Sequence, residues 1–333
     1  MGGLNFWRLP LPVPRQLLKP AKAADNGVVS AKIAIASDCN LRCRYCFIDK
    51  VSGEVMSLSC ARKVLEELIV SPGNKKRIGI YGGEPLLQFP LVRSMVEHGR
   101  ALGGAHDKDV FFSIATNGML LNEDNLEFFS SRGVHLAISC DGVYGKNLRL
   151  KRDGRGVNRV LASRLRDIFQ MIPGSHITVL QGIHPQNVDW MFDNFQYLAG
   201  LGFGNFNFEI ICGLRWEDGH HESFSRGFLR IRQFITERIS SRNFLFLEPL
   251  NRLLLSDNNA LAYSLEFDTR GNKSSIPYPF KNISPEKIQN GMKILSLRQE
   301  LCRDMAQELF RMRASRRYYA QYIREAQKLA VGV

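Results

Sequence analysis

Along the first two-thirds of the chain, short apolar runs alternate with longer segments whose apolar residues recur every three or four positions. Lys32-Ile33-Ala34-Ile35-Ala36 predicts a strand over about 31–37. Ala61, Val64, Leu65, Leu68 and Ile69 then keep helical spacing as far as Val70, with Ser57 or Ser59 as the N-cap and Ser71-Pro72-Gly73-Asn74 as the break. Further strands are predicted over 77–81, 110–115, 134–139, 176–183 and 203–211. The intervening helices run from Leu91 to a stop at Gly103-Gly104, from Asn122 to Gly133, over 156–171 and over 187–200. Six βα-type units in succession imply an α/β fold with a parallel sheet and right-handed crossovers. Beyond Cys212 the alternation stops. A helix over 222–240, a hairpin over 263–273 with its turn at Arg270-Gly271, and a basic helical stretch from Ser284 take its place. The chain divides accordingly into an extended N-terminal segment (1–28), an α/β unit (29–212) and a C-terminal extension (213–333).

Every unusual motif falls immediately after a predicted strand. Cys39, Cys43 and Cys46 follow the first with the spacing C-x3-C-x2-C, and Gly82-Gly83-Glu84-Pro85 follows the second. Thr116-Asn117-Gly118 follows the third and Ser139-Cys140-Asp141-Gly142 the fourth. In parallel α/β barrels the C-terminal strand ends form the active face, so these motifs are expected to meet at one mouth. Soft thiolates suit an iron–sulfur cluster or zinc. A closed structural zinc site wants four ligands, and no fourth Cys or His follows at a short, regular distance. Three thiolates on a [4Fe–4S] cluster leave one iron open to a substrate or cofactor; a zinc loop is the alternative.

Cys39, Cys43, Tyr45 and Cys46 resemble the C-x3-C-x-aromatic-C signature of radical S-adenosylmethionine (radical SAM) enzymes. The resemblance implies a partial (β/α)6 TIM-like barrel and one [4Fe–4S] cluster on Cys39, Cys43 and Cys46. It also implies SAM chelated to the open iron and cleaved reductively to a 5′-deoxyadenosyl radical, which abstracts hydrogen from the substrate. Gly82-Gly83-Glu84-Pro85 resembles the family's GGEP motif, which assigns Gly82, Gly83 and Glu84 to the ammonium of SAM, glycine allowing close approach. Thr116 and Asn117 match a third-strand TNG, which reaches the ribose or simply closes a turn. Ser139-Cys140-Asp141-Gly142 with Arg149 resembles the anaerobic sulfatase-maturase-like group. That match places Ser139 and Arg149 on the SAM carboxylate and Asp141 near substrate or ribose. The group's His-Asp pair before the arginine is absent; Lys146-Asn147-Leu148 stands there.

Cys140 and Cys212, beside the expected mouth, are candidate hydrogen-atom donors, with packing as the alternative. Cys60 and Cys302 fall on predicted helices as packing residues, His184 and Glu209 face the mouth, and His106 and His220-His221 read as solvated loop positions. The Glu266–Lys273 stretch is similar to the hairpin that opens a SPASM or twitch extension. Yet Ser274 and Ser275 stand where cysteine is expected, and Cys302 is alone after Cys212, so no auxiliary cluster is expected. The extension is expected to position the substrate, with Arg311, Arg313, Arg316, Arg317 and Arg324 lending it charge.

Composition narrows the reading. The 333 residues are 44% apolar and 23% charged, ordinary for a chain with a sizeable core. No apolar run approaches the roughly 20 residues of a membrane span. Seven cysteines, three of them clustered, do not form a secretory disulfide pattern, which points to a reducing cytoplasm. The net charge of +13 suits an acidic peptide or RNA, but no aromatic-interleaved RNA signature accompanies it. The expected activity is radical SAM modification of a peptide or protein, with an electron donor such as flavodoxin or ferredoxin and no membrane partner. The alternatives are radical SAM modification of RNA or a small metabolite, and a non-catalytic iron–sulfur or zinc-binding module.

Overall fold

The computed structural model describes residues 28–50, 53–172, 176–240, 246–247, 265–274 and 285–311. Residues 1–27, Ser275 and the arginines and tyrosines of 312–333 lie outside these, so the expectations placed on them are not addressed. The α/β alternation is β1 (Val28–Ala36), α1 (Leu58–Val70), β2 (Lys75–Gly82), α2 (Phe89–Ala105), β3 (Asp109–Thr116), α3 (Glu123–Ser131) and β4 (His135–Ser139). It continues with α4 (Asn158–Met171), β5 (Ile177–Ile183), α5 (Met191–Gly200) and β6 (Asn205–Ile210). After these come α6 (Asp218–Ser240), β7 (Phe246–Leu247), β8 (Leu265–Phe267), β9 (Lys273–Ser274) and α7 (Pro285–Arg311). The sheet order is β7-β6-β5-β4-β3-β2-β1-β8-β9, and every adjacent pair is parallel except β8–β9. Six βα units thus lie side by side in chain order, and all their C-terminal ends point the same way.

Alternation along each strand assigns its two faces. In β3, Val110, Phe112, Ile114 and Thr116 are buried while Phe111, Ser113 and Ala115 are half-covered. Phe112 packs on α2 so closely that a Cβ on Gly99 would lie 2.4 Å from its ring. Phe206 and Phe208 of β6 meet Phe195 of α5 edge-on at 4.8 and 6.1 Å. Burying each such ring is worth about 1.5–3 kcal/mol. The opposite face is polar: Thr178 Oγ1 receives Asn205 Nδ2 at 2.6 Å and pairs with His135 Nε2 at 2.7 Å, all three residues buried.

Two local readings are corrected. Helix α2 passes through Gly103-Gly104 and ends at Ala105, capped by His106. Gly103 is there for packing, since a Cβ would lie 2.6 Å from Val110 Cγ2. His220 and His221 sit in the first turn of α6 and are half-buried; His220 Nδ1 accepts the Glu217 amide at 3.0 Å. The hairpin β8–β9 joins the main sheet, with Leu265, Glu266 and Phe267 in parallel register with Ala31, Lys32 and Ile33. Its turn is closed by Asp268 Oδ1, which accepts from the amides of Arg270 and Asn272. Gly271 takes φ +78° there, lying over Cys60 Sγ with no room for a Cβ. Among the described residues no helix is long and apolar enough to cross a membrane.

Candidate active site

The loop after β1 carries the three cysteines, and the loops after β2 and β3 clamp it. The Gly83 amide donates to Ala36 O at 2.7 Å and the Glu84 amide to Asp38 O at 2.9 Å. A Cβ on Gly82 would lie 2.3 Å from Ala36 O, and one on Gly83 2.0 Å from Asp38 O. The chain these glycines approach is therefore the cysteine loop itself. Glu84 is fully buried and latches the next motif: Oε1 accepts Thr116 Oγ1 at 2.7 Å and the Leu86 amide at 3.0 Å, and Oε2 accepts the Asn117 amide at 2.8 Å. Burial raises the pKa of this carboxyl, and the three donors work against that rise. Asn117 then reaches back. Its Nδ2 donates to Asn40 Oδ1 at 2.7 Å and to Cys39 Sγ at 3.7 Å, while the Leu41 amide meets the same sulfur at 3.4 Å.

Cations close the loop from outside. Arg42 Nη1 donates to Cys39 O at 2.6 Å and Leu41 O at 2.9 Å, Lys50 Nζ to Leu41 O at 2.9 Å, and Arg152 Nη2 to Asp38 Oδ1 at 3.2 Å. Backbone bonds from Arg42 to Leu150 O and from Arg44 to Leu148 O splice the loop to the segment after β4. Neither connection is visible in the sequence beyond the presence of basic residues beside the cysteines.

That splice delivers Arg149 and Asp141 to Tyr45. The Tyr45 hydroxyl donates to the Asp141 carboxylate, with oxygens at 2.8 and 3.0 Å, and accepts from Arg149 Nη1 at 3.0 Å. Asp141 and Arg149 are 2% and 6% exposed, so these bonds form away from water. Burial works against the Arg149 charge, but Tyr45, Cys43 and Asp141 hold it protonated above the usual range. Arg149 Nε is buried with no hydrogen-bond partner. His184, just after β5, sits with its ring 5.8 Å from that of Tyr45. Its Nδ1 accepts the Gln186 amide at 3.2 Å, which puts the neutral ring's proton on Nε2. Burial lowers its pKa to about 4, and Nε2 is likewise buried without a partner.

The sequence family described as the Radical SAM superfamily matches residues 33–221, more than half of the chain. The chain belongs to the radical SAM superfamily. A cysteine-type anaerobic sulfatase-maturating enzyme of Clostridium novyi is 32% identical over 116 residues, 32% of this chain and 31% of that protein. An S-adenosylmethionine-dependent nucleotide dehydratase of a Fibrobacter species is 29% identical over 168 residues, 46% of this chain and 47% of that one. The chain spans between about a third and two-thirds of the length of the curated relatives it first matches. In fold it is similar to anSMEcpe with bound AdoMet, at TM-score 0.65 and 15% identity, covering 91% of this chain and 96% of that one. SuiB of Streptococcus suis, bound to its precursor peptide SuiA, follows at TM-score 0.50 and 13% identity over 81% of this chain and 64% of SuiB.

Radical SAM enzymes use a [4Fe–4S] cluster and SAM, and the loop fits the cluster. Cys39 is 5% exposed and Cys43 and Cys46 half-buried. Burial raises the pKa of Cys39 and Cys43 in the free protein, and the amide donors on Cys39 Sγ suit a thiolate. Among the described residues no three His, Cys, Asp or Glu side chains converge as they would on a single metal ion; a cubane takes each thiolate on a separate iron and needs no such convergence. Elsewhere in the mouth Ser139 ends β4 half-buried and Glu209 is exposed, its Oε1 accepting Asn207 Nδ2 at 2.7 Å. Cys140 and Cys212 belong to the apolar core, where burial pushes their thiols up to about 12 and about 11. Cys302 is buried in the same core, and Cys60 packs at its margin.

Proposed function

We propose that this radical SAM enzyme modifies a peptide or protein, with its cluster on Cys39, Cys43 and Cys46 and SAM held beside Tyr45 and Arg149. The observation that carries the substrate class is likeness along nearly the whole chain to anSMEcpe, a structure solved also with AdoMet and the Cp18Cys peptide at TM-score 0.65. The mouth suits an extended substrate, since Ser139 and Glu209 remain accessible towards the C-terminal ends of β4 and β6, on either side of β5. When bound, the cluster and SAM supply one-electron cleavage to the radical that abstracts substrate hydrogen. The protein's part is to orient and to exclude water. Arg149, fixed by Tyr45 and Asp141, keeps Nε for the SAM carboxylate, a charge-assisted bond in a dry site. Glu84 holds the second and third loops together and has capacity on Oε2 for the SAM ammonium. Gly82 and Gly83 seat that loop against the cysteines, Thr116 closes the latch, and Ser139 lies across the mouth. His184 Nε2–H awaits an acceptor on SAM or substrate. Cys140 and Cys212 are packing residues on this reading.

The electron enters from an acidic one-electron carrier of the flavodoxin or ferredoxin type. Arg42, Arg44, Lys50, Lys151 and Arg152 form a basic collar at the cysteine loop that suits such a partner. The C-terminal extension positions the substrate.

The test of substrate class follows deuterium. Enzyme, SAM and dithionite are mixed anaerobically with peptide, RNA or small-metabolite fractions from cells grown in heavy water. Deuterium in 5′-deoxyadenosine from the peptide fraction supports the proposal. Deuterium from the RNA or metabolite fraction alone overturns it, and the Fibrobacter nucleotide dehydratase match makes nucleotides the second class to try.

A further inference from the structure

The third-strand asparagine does something that its motif does not announce. Its amide orientation is set by the Met119 N–H, which donates to Asn117 Oδ1 at 3.0 Å. Both hydrogens of Nδ2 are therefore turned to the cysteine loop, one on Asn40 Oδ1 at 2.7 Å and the other on Cys39 Sγ at 3.7 Å. The backbone of Asn117 is anchored independently, since its own amide bonds to the buried carboxylate of Glu84 at 2.8 Å. Asn117 is 6% exposed and Cys39 5%, so no water competes for this contact. With the Leu41 amide at 3.4 Å, the Cys39 sulfur receives two N–H donors.

We propose that Asn117 sets the reduction potential of the cluster by donating an N–H to the Cys39 thiolate. This rests on the assignment of the cluster to Cys39, Cys43 and Cys46. Hydrogen bonds to the sulfurs and net charge are the levers that move iron–sulfur potentials. An N–H on the sulfur withdraws electron density from the thiolate and favours the reduced, more negative cluster. Asn117 thus acts through Cys39 and is a tuning residue; it touches neither SAM nor the reacting atoms on this reading.

The experiment compares reconstituted wild type, Asn117→Ala, Asn117→Ser and Asn40→Ala by spectroelectrochemical titration of the cluster without SAM. Loss of the donor is expected to shift the reduction equilibrium toward the oxidised form about three- to tenfold, the net worth of one ordinary hydrogen bond. A tenfold shift lowers the potential by about 59 mV for a one-electron couple. Asn40→Ala removes the amide's other acceptor and leaves the N–H on sulfur; because Asn40 Oδ1 itself lies 3.8 Å from Cys39 Sγ, this variant is read for cluster assembly and for the proton on sulfur, and only the Asn117 variants are read for the potential. Electron paramagnetic resonance of the reduced cluster adds a second readout: an exchangeable proton coupling present in wild type and Asn40→Ala and lost in both Asn117 variants. A merely structural asparagine moves neither. Equal potentials in wild type and the Asn117 variants overturn the inference, as does failure of both Asn117 variants to assemble a cluster that Asn40→Ala assembles. If wild type itself assembles no cluster, the family's cofactor assignment fails and the inference falls with it.

Discussion

Replacing Gly83 with alanine is a direct test of whether the loop after β2 exists to seat the cysteine loop. The new Cβ would lie 2.0 Å from Asp38 O and 2.6 Å from Ser37 O, against a floor of 3.0 Å for real Cβ contacts. The obstacle is backbone, so no side chain swings aside; the Asp38 carbonyl must retreat by about 1 Å. That movement stretches the Glu84 amide to Asp38 O bond from 2.9 Å and the Gly83 amide to Ala36 O bond from 2.7 Å toward breaking. Two backbone bonds at about 0.5–1.5 kcal/mol each put the cost near 1–3 kcal/mol. The displacement also passes to Cys39, whose amide bonds to the Asp38 side chain at 2.8 Å. The expected result is a lower urea midpoint together with a large loss of iron after reconstitution. Gly104→Ala is the control: it lies in α2 with nothing within 4 Å of the new atom and should be neutral or stabilising by about 0.5–1 kcal/mol. A Gly83→Ala protein with unchanged midpoint and full iron would refute the steric argument.

Two further outcomes follow from buried polar groups. His184→Phe removes the unpartnered Nε2 donor, together with the Nδ1 acceptor of the Gln186 amide, and keeps the packing on Tyr45; SAM or substrate affinity should fall about three- to tenfold at constant iron content, read by calorimetric titration, and unchanged affinities for both would show the donor to be idle. His135, among Thr178, Asn205 and His176, has its pKa lowered by burial from 6.5 to about 3, so the folded state stays neutral where the unfolded chain takes up a proton. Its contribution is therefore intact above pH 6.5 and lost as pH falls toward 3. Urea unfolding of wild type between pH 6 and 4 should lose about 1.4 kcal/mol per pH unit more than His135→Gln does; parallel pH profiles would contradict this.

The fold was readable because strand and helix carry separate periods here. Ile33 and Ile35 against Ala34, or Val110, Phe112 and Ile114 against Ser113, announce buried strands, and the motifs at the strand ends announce the mouth. Glycines were harder to interpret. Gly103 looked like a helix stop but is a packing position against Val110, and Gly82-Gly83, expected at a ligand, abut backbone from Ala36 to Asp38 as well. A missing Cβ shows that something is close without showing what. Contacts across long sequence separations were not legible at all. Tyr45 was expected in the cysteine signature, Asp141 near substrate or ribose and Arg149 on the SAM carboxylate, yet their mutual bonding depends on the backbone pairing of Arg44 with Leu148, which no local pattern encodes. The same holds for Asn117 on Cys39, because nothing in a turn sequence shows where the amide points. The attachment of β8 to β1 was missed because three residues paired across the sheet leave no periodic trace.

The central claim is that Cys39, Cys43 and Cys46 hold the cluster at which SAM is cleaved. The most direct measurement is 5′-deoxyadenosine formed from SAM and dithionite by anaerobically reconstituted protein, wild type beside Cys39→Ala, with iron and sulfide counted in each. Wild type should carry about four irons, the content of one cubane, and produce 5′-deoxyadenosine, while Cys39→Ala loses both. Wild-type protein with a complete cluster and no SAM cleavage, or undiminished cleavage by Cys39→Ala, would contradict the account.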